Sequence, residues 1–167
     1  RTEESRILAA SAVRRRIGEI LAENPAADIV VLGDLNENAD EYERIGGRYP
    51  TALMPVGTAH PPEGFLVTGS RPPEPPADGK IVLYSPWLDD PPLPGCYLYG
   101  ERWETIDHAL LASGLFDGEG LVFSRFLAGG PDFLTAADGS PDPVFSDHLP
   151  VMVVLRRADS PSAEGPR

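Results

Sequence analysis

A single cysteine, Cys96, stands in this chain of 167 residues, so the chain cannot form an internal disulfide. Cys96 lies beside Tyr97 and Leu98 in a strand-like run, a setting more typical of a small buried hydrophobic side chain than of a nucleophile. Long apolar runs are also absent, because none approaches the roughly 20 residues that a bilayer-spanning helix needs. The sequence therefore predicts neither a disulfide scaffold nor a transmembrane helix.

Basic residues are scarce as well. Fourteen lysines and arginines stand against 26 aspartates and glutamates, which gives a formal net charge of -12. Such a charge repels polyanions at long range and disfavours unaided, non-specific binding of nucleic acid. The three arginines at 14–16 lie on a predicted helix, and we interpret them as a solvated face instead of a phosphate-binding patch.

Regular patterning surrounds a proline-rich middle region. A hydrophobic share of 41% in a chain of this length predicts one folded domain with a sizeable core. Eleven of the 19 prolines fall between Pro55 and Pro94. We therefore predict long surface loops over 46–79, and residues 55–94 are a candidate for substrate contact.

The regular elements are predicted on both sides of these loops. Apolar residues recur every three or four positions over 4–23, which predicts an amphipathic helix. Residues 28–32 form a β-branched run typical of a strand buried on both faces. The remaining predictions are a helical turn over 41–45, strands over 80–84, 96–99, 103–111, 121–126 and 151–155, and a hairpin around 100–102. This order predicts a layered α/β sandwich over 1–156, followed by a polar, disordered tail over 157–167.

The first polar cluster is Gly-Asp-Leu-Asn at 33–36, directly after the strand predicted over 28–32. The glycine lets the backbone turn, and strand alternation would aim Asp34 and Asn36 to the same side. A carboxylate and a carboxamide would then converge. The alternative is an Asx-type turn, in which both side chains bond only to local backbone.

Two further clusters lie at strands. Asp107 falls within the strand predicted over 103–111, where an unpaired carboxylate is costly, so we expect a histidine or a cation as its partner. His108 is interpreted as a neighbour that points to the opposite face from Asp107. Asp147 and His148 precede the final strand, and a loop there would let both face a common pocket.

Together, the three clusters resemble a known family. The segments Gly-Asp-Leu-Asn at 33–36, Ile-Asp-His at 106–108 and Ser-Asp-His-Leu-Pro-Val at 146–151 are similar to the later signature motifs of the endonuclease/exonuclease/phosphatase superfamily. That superfamily includes DNase I, abasic-site endonucleases, inositol-polyphosphate 5-phosphatases and sphingomyelinases. The resemblance extends from the first helix to Leu155, and the last motif is its most specific part.

The resemblance implies a DNase I-like α/β sandwich and a divalent-metal-dependent phosphoesterase. Asp34 would orient or deprotonate the attacking water, and Asn36 would donate a hydrogen bond to the phosphoryl oxygen or hold that aspartate. Asp147 would help to bind Mg²⁺ or Mn²⁺. His148 would contact the scissile phosphate, and Asp107 would keep the His148 ring oriented and protonated. In-line displacement at phosphorus needs these parts, because it requires a positioned water and positive charge on the equatorial oxygens.

The chain departs from the family in one respect. Members of the superfamily carry an asparagine and a metal-binding glutamate well upstream of the Gly-Asp-Leu-Asn motif, and nothing before Asp34 supplies them here. The resemblance therefore implies about the C-terminal half of the sandwich, with one mixed sheet and its flanking helices. We expect the missing N-terminal half, or a dimer partner, to cover the exposed sheet.

The resemblance specifies the type of reaction more closely than it specifies the substrate. Nucleic acid, a phospholipid or inositol phosphate, and a nucleotide-like molecule all fit as phosphate-ester substrates, while the net acidity disfavours a non-specific nuclease. One alternative is a catalytically silent interaction module that retains the sandwich fold. Another is an unrelated α/β domain in which the motifs are coincidental turns.

Overall fold

A computed structural model describes residues 2–58, 64–74 and 80–158 of the chain. Within them the fold is mixed α/β, with two α-helices and nine strands. The helices are α1 (Thr2–Glu23) and α2 (Glu41–Arg44). The strands are β1 (Val30–Asp34), β2 (Leu53–Pro55), β3 (Phe65–Thr68), β4 (Val82–Tyr84), β5 (Tyr97–Tyr99), β6 (Arg102–Glu104), β7 (Asp107–Leu111), β8 (Leu121–Ala128) and β9 (Val151–Arg157).

Five strands form the main sheet, in the order β1-β7-β4-β3-β2. The pairs β1–β7 and β7–β4 are antiparallel, whereas β4–β3 and β3–β2 are parallel, so the sheet is mixed. Two smaller sheets are the antiparallel hairpin β5–β6 and the antiparallel pair β8–β9. The predicted α/β class with a mixed sheet is confirmed, while the DNase I-like topology stays a prediction.

Helix α1 covers one face of the main sheet. Its predicted apolar stripe contributes the buried Ala10 and Ile17, which pack in one cluster with Phe65, Leu83 and Leu110 of the sheet. The helix predicted over 4–23 is therefore confirmed. In the described part of the chain, no helix is both long enough and apolar enough to cross a bilayer.

The pair β8–β9 covers the opposite face. Successive residues of a strand point to opposite sides, so Tyr84 faces away from the helix that Leu83 contacts. Tyr84 and Leu111 pack there with Phe123 of β8 and Val153 of β9. The result is three layers: a helix, a five-stranded sheet and a two-stranded sheet. The face opposite α1 is the one that carries the candidate site.

The strand over 28–32 was predicted to be buried on both faces, and this is wrong. Among the described strands β1 pairs only with β7 and lies at the edge of the main sheet. Leu32 is 61% exposed, and the residues that follow it in β1 are exposed as well. An apolar β-branched run indicates strand propensity, but it does not show whether the strand lies at the edge or in the centre of its sheet.

The loop prediction over 46–79 is also wrong in part, because β2 and β3 lie inside it. These strands are three and four residues long, too short to show a periodic pattern between prolines and glycines. Long-range pairing to β4 stabilises them, since β3 joins β4 in parallel and β2 joins β3. Residues 59–63 and 75–79 of the predicted loop lie outside the described residues.

Two strand boundaries also differ from the prediction. The strand predicted over 103–111 is divided into β6 and β7, which belong to different sheets. The backbone N–H of Thr105, between them, donates to the Asn38 side chain instead of to a neighbouring strand. The polar tail was predicted to begin at Arg157, but Arg157 belongs to β9 and pairs with Leu121. Residues 159–167 of that tail lie outside the described residues.

Candidate active site

Strand register brings two carboxylates together. Asp34, the last residue of β1, pairs directly with Asp107, the first residue of β7. Directly paired residues of antiparallel strands project from the same face of the sheet, a few ångströms apart. Like charges in that position repel each other, so the pair is stabilised by a positive partner.

His148 supplies such a partner. Its Nδ1 donates a hydrogen bond of 2.7 Å to Oδ2 of Asp107. The ring of Tyr97 lies against the imidazole, with 4.7 Å between the ring centroids. The following residue fixes the backbone, because the N–H of Leu149 donates to the carbonyl oxygen of Cys96 at 2.7 Å. His148 is thus held against the sheet from three directions.

The surroundings favour the charged form of His148. Burial lowers the pKa of the imidazole, but the hydrogen bond that His148 donates to Asp107 and the charges of Asp107, Asp147 and Asp34 outweigh burial, so the pKa is raised above its ordinary value. An imidazolium at this position neutralises part of the repulsion between the two paired aspartates. It also offers a positive group toward solvent, because His148 is only half-buried.

The same three residues could hold a cation, to which His148 would contribute only with a neutral ring. Ligand atoms of Asp34, Asp107 and His148 all lie within 4.8 Å of one another. Oxygen ligands of Mg²⁺ and Ca²⁺ lie about 2.0–2.6 Å from the ion, so two ligands of one ion are separated by at most about 5 Å. The two carboxylates are the hard oxygen donors that such ions require. The residues present therefore fit a divalent metal.

Asn36 and Asp147 lie outside this cluster of three. β1 ends at Asp34, and Asn36 has a left-handed φ of 53°, so the argument that strand alternation aims both side chains to one side is wrong. The N–H of Asn36 donates to Oδ1 of Asp34 at 2.7 Å, which is the Asx-type turn of the alternative interpretation. Asp147 is exposed, and its charge contributes to the raised pKa of His148.

A buried glutamate that the sequence did not indicate supports the loop after β1. Glu37 accepts hydrogen bonds from the N–H groups of Leu53 at 2.7 Å and Ala52 at 3.2 Å. Arg6 of α1 places Nε 3.2 Å from the Glu37 carboxylate and donates from Nη1 to the carbonyl of Asn36 at 2.9 Å. Burial, with the charge of Glu3 as a smaller cause, raises the pKa of Glu37 to about 7.

Asn38 ties the same loop to the turn before β7. Its side-chain oxygen accepts from the N–H of Thr105 at 2.8 Å, and its amide donates to Glu41 at 3.0 Å and to Glu104. The N–H of Ala39 donates in return to the Thr105 hydroxyl at 3.0 Å. Asn38 stands only two positions after Asn36 in a polar run, and no local pattern distinguishes it there.

His108 points to the opposite side of the sheet from Asp107, as predicted, and it is completely buried. Its Nε2 donates to the carbonyl of Glu37 at 2.8 Å, while Nδ1 has no hydrogen-bond partner. Burial lowers the pKa of His108 and so favours the neutral ring. His108 therefore supports the loop after β1 from the opposite face of the sheet. It does not belong to the cluster of Asp34, Asp107 and His148.

Cys96 is buried and holds the start of β7. Its thiol accepts from the N–H of Asp107 at 3.2 Å and donates to the carbonyl of Glu104 at 3.4 Å. Burial raises the pKa of the thiol to about 12. Trp87 adds a second constraint, because its Nε1 donates to the carbonyl of Asp107 at 2.7 Å. The interpretation of Cys96 as a buried structural side chain is confirmed.

Comparisons of the chain with protein-family models, curated proteins and solved structures gave no match. No relative therefore contributes to the functional argument. Two things contribute to it: the three motifs in their order along the chain, and the geometry that brings Asp34, Asp107 and His148 within reach of one ligand.

Proposed function

We propose that the chain provides the catalytic aspartates and histidine of a divalent-metal-dependent phosphoesterase that resembles the DNase I-like superfamily. The observation that supports this most is the 2.7 Å hydrogen bond from His148 to Asp107, opposite Asp34. A half-buried imidazolium that still reaches solvent, beside a second carboxylate, is suited to phosphate, because the positive group binds phosphoryl oxygens while the carboxylate receives a proton.

In the proposed reaction, the oxygen of a water molecule bonds to phosphorus as the bond from phosphorus to the leaving oxygen breaks. Asp34 orients the water and accepts its proton. His148 stabilises negative charge on the phosphoryl oxygens, and Asp107 holds the imidazole in its protonated state. Asn36 contributes a hydrogen bond to the phosphate or to Asp34. These roles use positioning and charge, which are the main sources of catalysis in phosphoryl transfer.

A divalent cation belongs to this proposal. Asp34 and Asp107 would hold it, with Asp147 as the further ligand that the family resemblance implies. When bound, Mg²⁺ or Mn²⁺ would supply positive charge to the phosphate and lower the pKa of water. Support for the site comes from the two paired carboxylates, whose repulsion a cation relieves.

The proposal also includes a partner surface, either an N-terminal half of the sandwich or a second copy of the chain. Among the described strands, β1 lies at the edge of the main sheet, and Leu32 is exposed there next to the candidate site. An added strand or layer would cover this edge, since unpaired N–H and C=O groups at an edge favour pairing with another chain. Such a partner could contribute further metal ligands.

The test is hydrolysis of bis-p-nitrophenyl phosphate and p-nitrophenyl phosphate with Mg²⁺, with Mn²⁺ and with EDTA. We expect metal-dependent turnover that falls at least roughly 100-fold in His148→Ala and in Asp34→Asn. Glu23→Gln, at the exposed end of α1 on the other side of the sheet, is the matched control and keeps full activity. The ratio of diester to monoester turnover narrows the substrate class.

Absence of turnover, together with no rise in melting temperature on addition of Mn²⁺, would contradict the proposal. A bound cation stabilises the folded state by mass action. The free energy of unfolding should rise by roughly 2.7 kcal/mol at a cation concentration 100 times the dissociation constant. That result would favour the alternative, a catalytically silent module that retains the fold.

A further inference from the structure

A cavity of about 290 Å³ opens beside the aspartate–histidine pair. Its polar side includes Asp107 and His148, and its apolar side includes Leu134, Phe145 and Pro150. Ligand cavities commonly have this composition, in which a few polar groups orient the ligand and apolar walls bury the rest of it. The reactive groups proposed above thus line a largely apolar cavity.

The apolar wall continues into an exposed aromatic pair. Phe145 is 58% exposed and Phe133 is 61% exposed, and their ring centroids lie 5.7 Å apart in an edge-to-face arrangement. Val144, next to Phe145, is exposed too. Single exposed apolar side chains need no explanation, but a contiguous group of them next to a polar cluster is typical of a binding surface.

Hydrogen bonds within the loop hold this surface in position. The N–H of Asp142 donates to the carbonyl of Leu134 at 2.9 Å, and the N–H of Phe145 donates to the carbonyl of Asp142 at 3.0 Å. The N–H of Thr135 also donates to the carbonyl of Asp132 at 3.2 Å. The phenylalanines are therefore presented by a folded loop, so a ligand would meet an apolar wall that is already formed.

Size and charge limit what this cavity accepts. An apolar cavity of about 150 Å³ holds one benzene molecule, so a volume near 290 Å³ accommodates one aromatic ring together with part of a phosphate group. Carboxylates beside the cavity and a net charge of -12 disfavour a polyanionic ligand. An uncharged aromatic group joined to one phosphate fits the volume of the cavity and carries little negative charge.

We infer that this chain prefers phosphodiesters in which the alcohol that stays on phosphorus after cleavage carries an apolar, ring-sized group, and that Phe145 and Leu134 bind this group while the phosphate lies at His148. The inference rests on the proposed function and narrows its substrate class. Phe145 and Leu134 are then specificity-determining residues, and Phe133 supports Phe145 through the edge-to-face contact.

The test compares methyl 4-nitrophenyl phosphate with phenyl 4-nitrophenyl phosphate in the presence of Mn²⁺. Both release 4-nitrophenolate, as water bonds to phosphorus and the bond to the nitrophenyl oxygen breaks. The quantity of interest is the ratio of kcat/KM for the phenyl ester to kcat/KM for the methyl ester. We expect this ratio to fall roughly 10-fold in Phe145→Ala, a usual discrimination in an apolar pocket.

Two further variants make the comparison specific. Phe145→Leu retains apolar volume and should retain most of the ratio. Leu8→Ala removes another exposed apolar side chain, from α1 on the other side of the sheet, and should leave the ratio at the wild-type value. Because each variant is compared with wild type on both esters, the intrinsic reactivity of the esters cancels.

The outcomes separate this inference from the proposed function. Turnover of both esters with the same ratio in wild type and Phe145→Ala overturns the inference and leaves the phosphoesterase standing. If wild type hydrolyses neither ester, the affinities for phenylphosphonate and methylphosphonate in the presence of Mn²⁺ test the apolar subsite directly. Tighter binding of phenylphosphonate that is lost in Phe145→Ala supports the apolar subsite, and equal binding of both phosphonates overturns it.

Discussion

Asp107 accepts a 2.7 Å hydrogen bond from Nδ1 of His148, 41 positions later in the chain. The same aspartate pairs across the sheet with Asp34. Asp107 therefore links the two other charged groups of the candidate site, and the protonation of His148 depends on it.

The first prediction concerns this dependence. Because the hydrogen bond and charge of Asp107 raise the pKa of His148, Asp107→Asn should lower that pKa. An NMR titration of the His148 ring protons measures the effect. Asp138→Asn, which removes an exposed aspartate from the loop before Ser140, is the control and should leave the titration of His148 unchanged. An equal shift in both variants would show that general charge, and not the contact, governs the pKa.

The second prediction is a pH dependence of stability. Burial raises the pKa of Glu37 from 4.5 to about 7, so the folded state binds a proton more tightly than the unfolded state does. The contribution of Glu37 to stability is therefore fully present below about pH 4.5 and is lost as the pH rises through 7. The loss is roughly 3 kcal/mol at most. Urea unfolding at pH 5 and pH 8 should show a smaller decrease in Glu37→Gln than in wild type. An identical decrease in both proteins would contradict the assignment.

The third prediction concerns Asn38. Asn38→Ala leaves the buried N–H of Thr105 without its acceptor and removes the link between the loop after β1 and the start of β7. We expect a loss of about 1–3 kcal/mol in the free energy of unfolding, measured by urea denaturation. Asn24→Ala is the matched control, because the Asn24 side chain is exposed and accepts from the N–H of Ala26, two positions away. A cost below that of the control would mean that Asn38 does not hold the loop.

The fourth prediction concerns the thiol. Cys96 is buried and burial raises its pKa to about 12, so little reactive thiolate forms at pH 8. The native protein should therefore react with a disulfide reagent such as dithionitrobenzoate far more slowly than the protein in guanidinium chloride. Absorbance of the released thiolate follows the reaction. Equal rates in both states would show that Cys96 is accessible in the folded protein.

Local patterns were sufficient for much of the fold. Apolar spacing predicted α1, and short apolar runs predicted the strands that became β8 and β9. The short strands β2 and β3 were missed, because a run of three or four residues between prolines carries no measurable period. Their stability comes from pairing, of β3 with β4 and of β2 with β3, and no local pattern connects these segments.

For the site, the sequence by itself indicated Asp34, Asp107 and His148 as candidate residues, since they stand in motifs that resemble a known family. Only the tertiary structure decided which of them meet: the register of β1 against β7 brings Asp34 to Asp107, and the loop before β9 adds His148. Glu37 and Asn38 were not indicated, because the backbone groups of Ala52 and Thr105 that they bind lie 15 and 67 positions away. Side-chain type and short spacing are properties of neighbouring residues, whereas burial, pKa and hydrogen-bond partners arise when distant segments pack together.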